Sequence, residues 1–266
     1  MNEISIILPT LNEAENINFL IPELQKLFDK KEINDYEIII VDDGSTDNTK
    51  KIVDNLLKKN ININFIQRQK PKSLPLSIMD GIKVSKYKNT MWLDADGSMD
   101  IQSCEFLIDN FLKNDSFAVI GSRFVDGGGY KGKKSFEDNK LNKIAKNLLN
   151  SEDSIFAVIL SFIFNFILEK FSRFNIKDLT SGFIIIQKKY LDLSIFERAF
   201  YGDYFIYLLA DLIKKNVEIK EVGYYCKTRK YGTSKTSTNL LRIIKLSIPY
   251  IKAAIISRKE LNESKR

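Results

Sequence analysis

Apolar residues along the first half of the chain fall into two alternating rhythms. "ISIILPT" (from Ile4), "YEIIIVDD" (from Tyr36), "INFIQR" (from Ile63), "TMWLDAD" (from Thr90) and "FAVIGSRF" (from Phe117) are short runs rich in Ile and Val. That is the pattern of strands buried on both faces of a mostly parallel sheet. Between them, residues 13–30, 48–59, 74–85 and 102–113 place apolar residues at helical spacing. Strand and helix patterns in alternation signal repeated βαβ units, an α/β fold of Rossmann-like type. The 266 residues are enough for one large α/β domain, or one domain with an appendage.

A sheet of this kind binds ligands in the crevice at the carboxyl ends of its strands. The residues just past each run are Thr10 to Glu13, Asp42-Asp43, Arg68, Asp94 to Asp96 and Arg123, and each of these five groups holds a charged residue. A solvated strand end explains any one of them but not the series. The first turn reads "LPTLNEAEN", without the G-x-G-x-x-G of a dinucleotide fold, and no G-x-x-x-x-G-K-[ST] occurs, so both common nucleotide-binding motifs are excluded. The glycine cluster "DGGGYKGKK" (126–134) reads as a mobile loop with lysines able to reach a phosphate.

The stretch "IIIVDDGSTDNT" (38–49) ends a buried strand in two adjacent carboxylates. Ser45, Thr46 or Asp47 suit the cap of a helix beginning near Asn48. Capping does not require Asp42-Asp43, because neighbouring carboxylates repel unless a donor or cation meets them. The second acidic group, "WLDADG" (92–97), has D-x-D spacing, which lets two carboxylates point the same way from an extended strand end. Hard oxygen ligands of this kind suit Mg²⁺ or Mn²⁺, which keep several waters and bridge to substrate phosphates.

Composition narrows the chemistry further. There is no histidine, which removes His-based triads, His-ligated zinc and a His general base. The two cysteines, Cys104 and Cys226, lack metal-ligand spacing and read as free thiols of a reducing compartment. The N-terminus carries an acidic residue and no basic region ahead of its apolar run, so it is not read as a signal peptide, and a cytosolic location is expected. The net charge of +7 is unevenly spread: residues 227–266 hold 11 Lys or Arg against 2 Glu, a net +9.

Taken in order, "SIILPTLNEAENI", "EIIIVDDGSTDNT", "WLDAD", "GSRFVDGGG", "DLTSGF" and "RKYGTSK" resemble the family 2 glycosyltransferases of GT-A fold. "GSRFV" and "TSGF" make the resemblance strongest to the polyprenyl-phosphate sugar synthases, the dolichyl-phosphate mannose synthase group. The resemblance implies an inverting, metal-dependent hexosyltransferase, using Mg²⁺ or Mn²⁺, that moves mannose or glucose from a nucleotide sugar (GDP- or UDP-hexose) to a dolichyl or polyprenyl phosphate. It implies that Pro9, Leu11, Glu13, Val41 and Asp43 hold the base and ribose, with Asp42 supporting the turn. By the same resemblance Asp94 lies beside the nucleotide, Asp96 binds the metal, and Ser98 takes a position where the family often has a Gln ligand. Arg123 corresponds to an arginine facing the acceptor phosphate and Arg229 to one facing the diphosphate, with Lys235 in the same loop. Ser161 and Asn165 match acceptor-phosphate positions, while Ala157 stands where the family has a basic residue, a charge that a lysine of the long segment before "DLTSGF" is free to replace.

The uncharged run 154–168 spans about 22 Å as helix, short of the roughly 30 Å hydrocarbon core, so it does not cross a bilayer. It is either a core helix or one that docks at the membrane interface. "TNLLRIIKLSIPYIKAAIISRK" sets Arg242, Lys245 and Lys252 at helical spacing among apolar residues, with a kink expected at Pro249. This basic amphipathic pattern reads as membrane-surface binding. Nucleic-acid binding is not expected, since no recognition motif or stacking aromatics accompany the charge. The expected division is a catalytic domain over 1–235 and a membrane-associating tail over 236–266, giving a peripheral enzyme on the cytoplasmic face with no transmembrane helix. Two alternatives stay open: a family 2 transferase acting on a glycan hydroxyl with Asp203 as base, and a membrane-binding homologue without catalysis, toward which Ser98 and Ala157 point.

Overall fold

The computed structural model describes residues 3–59, 62–69, 71–113, 117–130, 155–227, 231 and 240–264. The five expected strands and four expected helices all form. In chain order they are β1 (Glu3–Thr10), α1 (Ala14–Lys30), β2 (Asp35–Asp42), α2 (Thr49–Leu57), β3 (Ile63–Gln67), α3 (Leu74–Val84), β4 (Asn89–Trp92), α4 (Ile101–Lys113) and β5 (Ala118–Ser122). After them come β6 (Gly129–Tyr130), α5 (Ile155–Ser172), β7 (Ile184–Gln187), α6 (Ser194–Arg198), α7 (Tyr204–Lys214), β8 (Ile219–Gly223), β9 (Tyr225–Cys226) and α8 (Leu240–Glu263).

Seven strands form the main sheet in the order β3-β2-β1-β4-β7-β5-β8. β1 pairs in parallel with β2 and β4, β2 with β3, and β5 with β8, whereas β7 runs antiparallel to both β4 and β5. The period-2 alternation of strand side chains divides the core between the two faces. Ile6, Leu8, Ile38 and Ile40 face α1, α2 and α4, packing with Leu24, Phe28, Val53 and Leu107. Ile7, Ile39 and Val41 face the other way, toward a core half that includes Ile78 of α3, Leu168 of α5, Phe205 of α7 and Ala253 of α8. Burial on both faces explains why the strands read as unbroken apolar runs.

The glycine cluster after β5 is not simply a mobile loop. Its described part is tied down, with the Gly129 N–H donating to the Tyr224 carbonyl at 3.0 Å and β6 pairing in parallel with β9. A Cβ on Gly128 would lie 2.4 Å from the Ser122 carbonyl oxygen, so this close approach requires glycine. The lysines of that cluster lie outside the described residues.

The C-terminal helix α8, expected as a tail, packs its small residues inward. Ala253, Ala254 and Ser257 are fully buried, and the Tyr250 ring meets Phe164 of α5 edge-on at 5.8 Å. Arg198 of α6 pairs with Glu260 at 2.9 Å. The composition boundary at 236 therefore does not coincide with a break in the core. The outward side of α8 carries Lys245, Ile248, Lys252, Ile255, Ile256 and Lys259, all exposed.

Candidate active site

The carboxyl ends of β1, β2, β3 and β4 lie side by side, with Pro9 opposite Val41 and Thr10 opposite Asp42. Two loops are stitched together across this edge. Asn12, in the left-handed region at φ 56°, donates its N–H to Ser45 Oγ at 2.7 Å and accepts from the Thr46 N–H at 2.8 Å. Asp47 accepts from the first amides of two helices, Ala14 of α1 at 3.2 Å and Thr49 of α2 at 2.9 Å. Burial opposes its charge, but the Thr49 hydroxyl and these amides hold the carboxyl below its ordinary value. One side chain thus caps both helices, a contribution of about 1 kcal/mol.

Asp42 and Asp43 have separate partners. Asp42 accepts from the Ser45 hydroxyl and from the Ser45 N–H at 3.1 Å, which closes the turn. Asp43 pairs with the Arg68 guanidinium and accepts from the Ser73 N–H at 2.6 Å. Arg68 also donates Nε to Asp80 at 2.9 Å, and its Nη2 is buried with no hydrogen-bond partner among the described residues. The strand-end arginine is therefore part of the candidate nucleotide side of the site, beside Asp43, whose two oxygens are both engaged. Glu13 accepts from Asn16 Nδ2 at 2.7 Å, and Asn16 donates to the Tyr231 carbonyl at 3.3 Å, which brings this one residue of "RKYGTSK" against the start of α1. Arg229 and Lys235 of that segment lie outside the described residues.

The D-x-D turn follows β4. Asp96 is buried and accepts the Ser98 N–H at 2.9 Å, with Gly97 at φ +79° allowing the reversal, while Asp94 is exposed. Burial, then the charge of Asp94, pushes the Tyr204 hydroxyl well above its ordinary value. The next residues bind the turn to β9: the Ser98 carbonyl accepts from the Lys227 N–H at 2.8 Å, Met99 bridges Cys226, and Lys227 pairs with Asp100. Among the described residues no three acidic, Cys or His side chains converge as metal ligands. Asp94 and Asp96, two residues apart at this turn, are instead a hard-oxygen donor set of the kind that suits Mg²⁺, which binds through one or two carboxylates together with water and substrate phosphates.

A second polar cluster lies beyond β5. Arg123 donates Nε and Nη2 to the two oxygens of Asp178, each at 2.7 Å, and Nη2 also reaches Thr180 Oγ1 at 2.7 Å. Asn165 donates Nδ2 to Thr180 Oγ1 at 2.9 Å and accepts from the Leu179 N–H at 3.0 Å. Ser161 Oγ lies 2.5 Å from the Tyr130 hydroxyl, and Arg123 sits over the Tyr130 ring at 5.2 Å. Burial pushes that hydroxyl up to about 12, against the pull of the Arg123 charge. Arg123, Ser161 and Asn165 are thus joined in one network, whose further members Asp178, Thr180 and Tyr130 were not singled out from sequence. Ala157 lies in the first turn of α5, and the lysines before that helix lie outside the described residues.

Asp203, the alternative base, is buried and accepts from the N–H groups of Phe200 at 3.1 Å and Tyr201 at 2.6 Å. Its carboxylate shapes the turn entering α7.

With two carboxylate-bearing turns, Arg68 after β3 and Arg123 after β5 at the carboxyl ends of the strands, the arrangement suits a negatively charged, phosphate-bearing substrate. The family model described as glycosyl transferase family 2 matches residues 5–193. The chain belongs to that family. Its activity class is glycosyl transfer. It is 28% identical over 254 residues to an uncharacterised protein of Methanocaldococcus jannaschii, covering 92% of this chain and 97% of the other. It is 32% identical over 129 residues to a dolichyl-phosphate beta-glucosyltransferase of Dictyostelium discoideum, covering 45% of this chain and 39% of that enzyme. A dolichol-phosphate mannosyltransferase of Pyrococcus furiosus is 34% identical over 126 residues, 47% of this chain and 34% of its own length. The chain thus spans well under half of those two enzymes. Among solved structures, glucosyl-3-phosphoglycerate synthase of Mycobacterium tuberculosis, crystallised with Mn²⁺, UDP-glucose and phosphoglyceric acid, superposes with a TM-score of 0.62 at 14% identity, over 97% of this chain and 80% of that one. That likeness bears on the fold, and the strand order and lone antiparallel strand described above constitute the GT-A sheet.

Proposed function

We propose that the protein transfers a hexose, mannose or glucose, from a nucleotide sugar to a dolichyl or polyprenyl phosphate, with inversion at the anomeric carbon. The observation that carries this reading is the network joining Arg123 to Ser161 and Asn165, which lie one turn apart on α5 and far from Arg123 in sequence, all three with family counterparts that serve the acceptor phosphate. In the reaction an oxygen of the lipid phosphate forms the new bond to the sugar's C1, while the bond from C1 to the nucleoside diphosphate breaks on the opposite face. A phosphomonoester has its second pKa near 6 and is largely a dianion at neutral pH, so no strong base is needed. That accounts for a site without histidine.

On this reading Pro9, Leu11, Glu13, Val41 and Asp43 receive the nucleoside. The Nη2 of Arg68, buried with no partner among the described residues, adds a donor there. Asp96, with Asp94 and Ser98 beside it, holds Mg²⁺ or Mn²⁺. The metal supplies charge neutralisation on the leaving diphosphate. Arg229 and Lys235 meet the same diphosphate as charge develops on it, and Arg123 orients the attacking phosphate. The relatives named as acting on dolichyl phosphate, and the neighbour bound to UDP-glucose and Mn²⁺, support the same assignment. Incubating the protein with GDP-mannose, UDP-glucose and other sugar nucleotides in the presence of polyprenyl phosphate is expected to yield a lipid-linked hexose from one donor. Transfer to phosphoglycerate or a free glycan, with no lipid-linked product, would overturn it.

The membrane surface is the second partner. No helix among the described residues is long and apolar enough to cross a bilayer. Yet α8 buries two alanines and a serine while three isoleucines, alternating with Lys245, Lys252 and Lys259, stay exposed. A lysine near an anionic surface contributes about 1 kcal/mol, and the isoleucines add apolar burial. Replacing the three lysines with glutamate should weaken binding to phosphatidylserine vesicles at least about tenfold. Equal binding of variant and parent at physiological salt would remove α8 as the docking face. Substitution is the cleaner test than truncation, because truncation would uncover the core around Ala253 and Ala254.

A further inference from the structure

The acceptor network has an apolar continuation along α5. Asn165 and Leu168 of this helix are buried, whereas Phe162, Ile163 and Phe166 point outward at 38%, 46% and 51% exposure. These are large apolar side chains left open in the turns that also hold Ser161 and Asn165. Phe162 is one residue from Ser161, and its ring meets Phe124 edge-on at 5.9 Å. Phe124 in turn lies 6.1 Å from the Tyr130 ring and 5.4 Å from the Arg123 guanidinium. An unbroken series therefore runs from the buried cation through Tyr130 and Phe124 to Phe162. Phe166 extends it by one helical turn, and Lys170 sits over the Phe166 ring at 5.2 Å.

We propose that Phe124, Phe162 and Phe166 form a subsite for the first isoprene units of the acceptor, next to the phosphate held by the Arg123 network. The inference rests on the lipid-phosphate reading above. The occupant is fixed by two chemistries joined in one surface: an anion at the arginine end and a branched apolar chain leading away from it. A bilayer face needs no such continuity with a buried cation. The aromatic strip then selects acceptors by the length and apolarity of the chain nearest the phosphate.

Water-soluble acceptors test this in the absence of any bilayer. For the full-length protein, kcat/KM should be higher with farnesyl phosphate, which carries three isoprene units, than with dimethylallyl phosphate, which carries one. In the double variant Phe162→Ser/Phe166→Ser the ratio of the two kcat/KM values should fall by about tenfold, the scale of lost apolar contact in a specificity pocket. KM for the nucleotide sugar should hold steady. Phe162→Leu/Phe166→Leu, still apolar, should recover most of the ratio. A ratio equal to that of the parent overturns the proposal, and if vesicle binding falls at the same time the strip is a bilayer contact instead. Parallel loss on both acceptors also overturns it, since the side chains would then act only on the fold. Lack of transfer by the unaltered protein to any prenyl phosphate is a different result, which removes the acceptor reading and this subsite together.

Discussion

Asp96→Ala is expected to lower kcat/KM for glycosyl transfer by on the order of a thousandfold, the scale of several kcal/mol of transition-state stabilisation. Asp96 is buried at the turn after β4, and its Oδ1 accepts the Ser98 N–H at 2.9 Å. Alanine removes the carboxylate and also strands that amide, at a cost of about 1–3 kcal/mol in stability if the amide stays buried. Asp96→Asn separates the two effects, because its amide oxygen still accepts from Ser98 while the negative charge is gone. The asparagine variant should unfold with the parent in urea yet lose activity nearly as far as the alanine variant. Excess chelator should silence the parent, with Mg²⁺ or Mn²⁺ restoring it. Full turnover in chelator, or an active asparagine variant, would take Asp96 out of the metal role.

The first half of the fold was legible because its signals are local. Ile-rich runs ending in polar residues fix β1 to β5, and the helices between them show their periodicity within single windows. The antiparallel direction of β7 was not legible: "FIIIQ" is as apolar as any parallel strand, and its direction is decided by what it pairs with, β4 on one side and β5 on the other. The acidic pair divides the same way. Asp42 bonding to Ser45 is a contact three residues away, whereas Asp43 meeting Arg68 spans 25 residues and is set by the parallel pairing of β2 with β3. Sequence resemblance pointed to Arg123, Ser161 and Asn165 but not to Asp178, Thr180 or Tyr130, although Asp178 and Thr180 stand in the quoted "DLTSGF". A motif names residues and leaves their mutual contacts unstated. In α8, helical spacing marked Lys245 and Lys252, both exposed, while the Arg242 side chain lies outside the described residues; the inward face is defined by Ala253, Ala254 and Ser257, small residues that hydrophobicity alone ranks below the exposed isoleucines.

Asp178→Ala should destabilise the fold by about 3–5 kcal/mol, because it leaves a buried guanidinium without its counter-charge. The Asp178 side chain is 0% exposed and that of Arg123 12%. Besides its two bonds from the Arg123 side chain, the carboxylate accepts the Arg123 N–H at 2.9 Å and the Thr180 N–H at 3.2 Å. Urea unfolding would measure the loss; a change below about 1 kcal/mol would mean the pair is solvated in the folded protein. Asp178→Asn keeps one acceptor oxygen and should lose less. The double variant Arg123→Met/Asp178→Leu tests why the pair is kept at all. Replacing a buried ion pair with apolar residues of similar volume is often neutral or stabilising, so much of the lost stability should return. Transfer to the lipid phosphate should not return with it, while nucleotide-sugar binding should survive in the refolded double variant. Recovery of stability without recovery of acceptor use would assign the ion pair to orienting Arg123 for the acceptor phosphate, whereas recovery of both would leave it a structural contact alone.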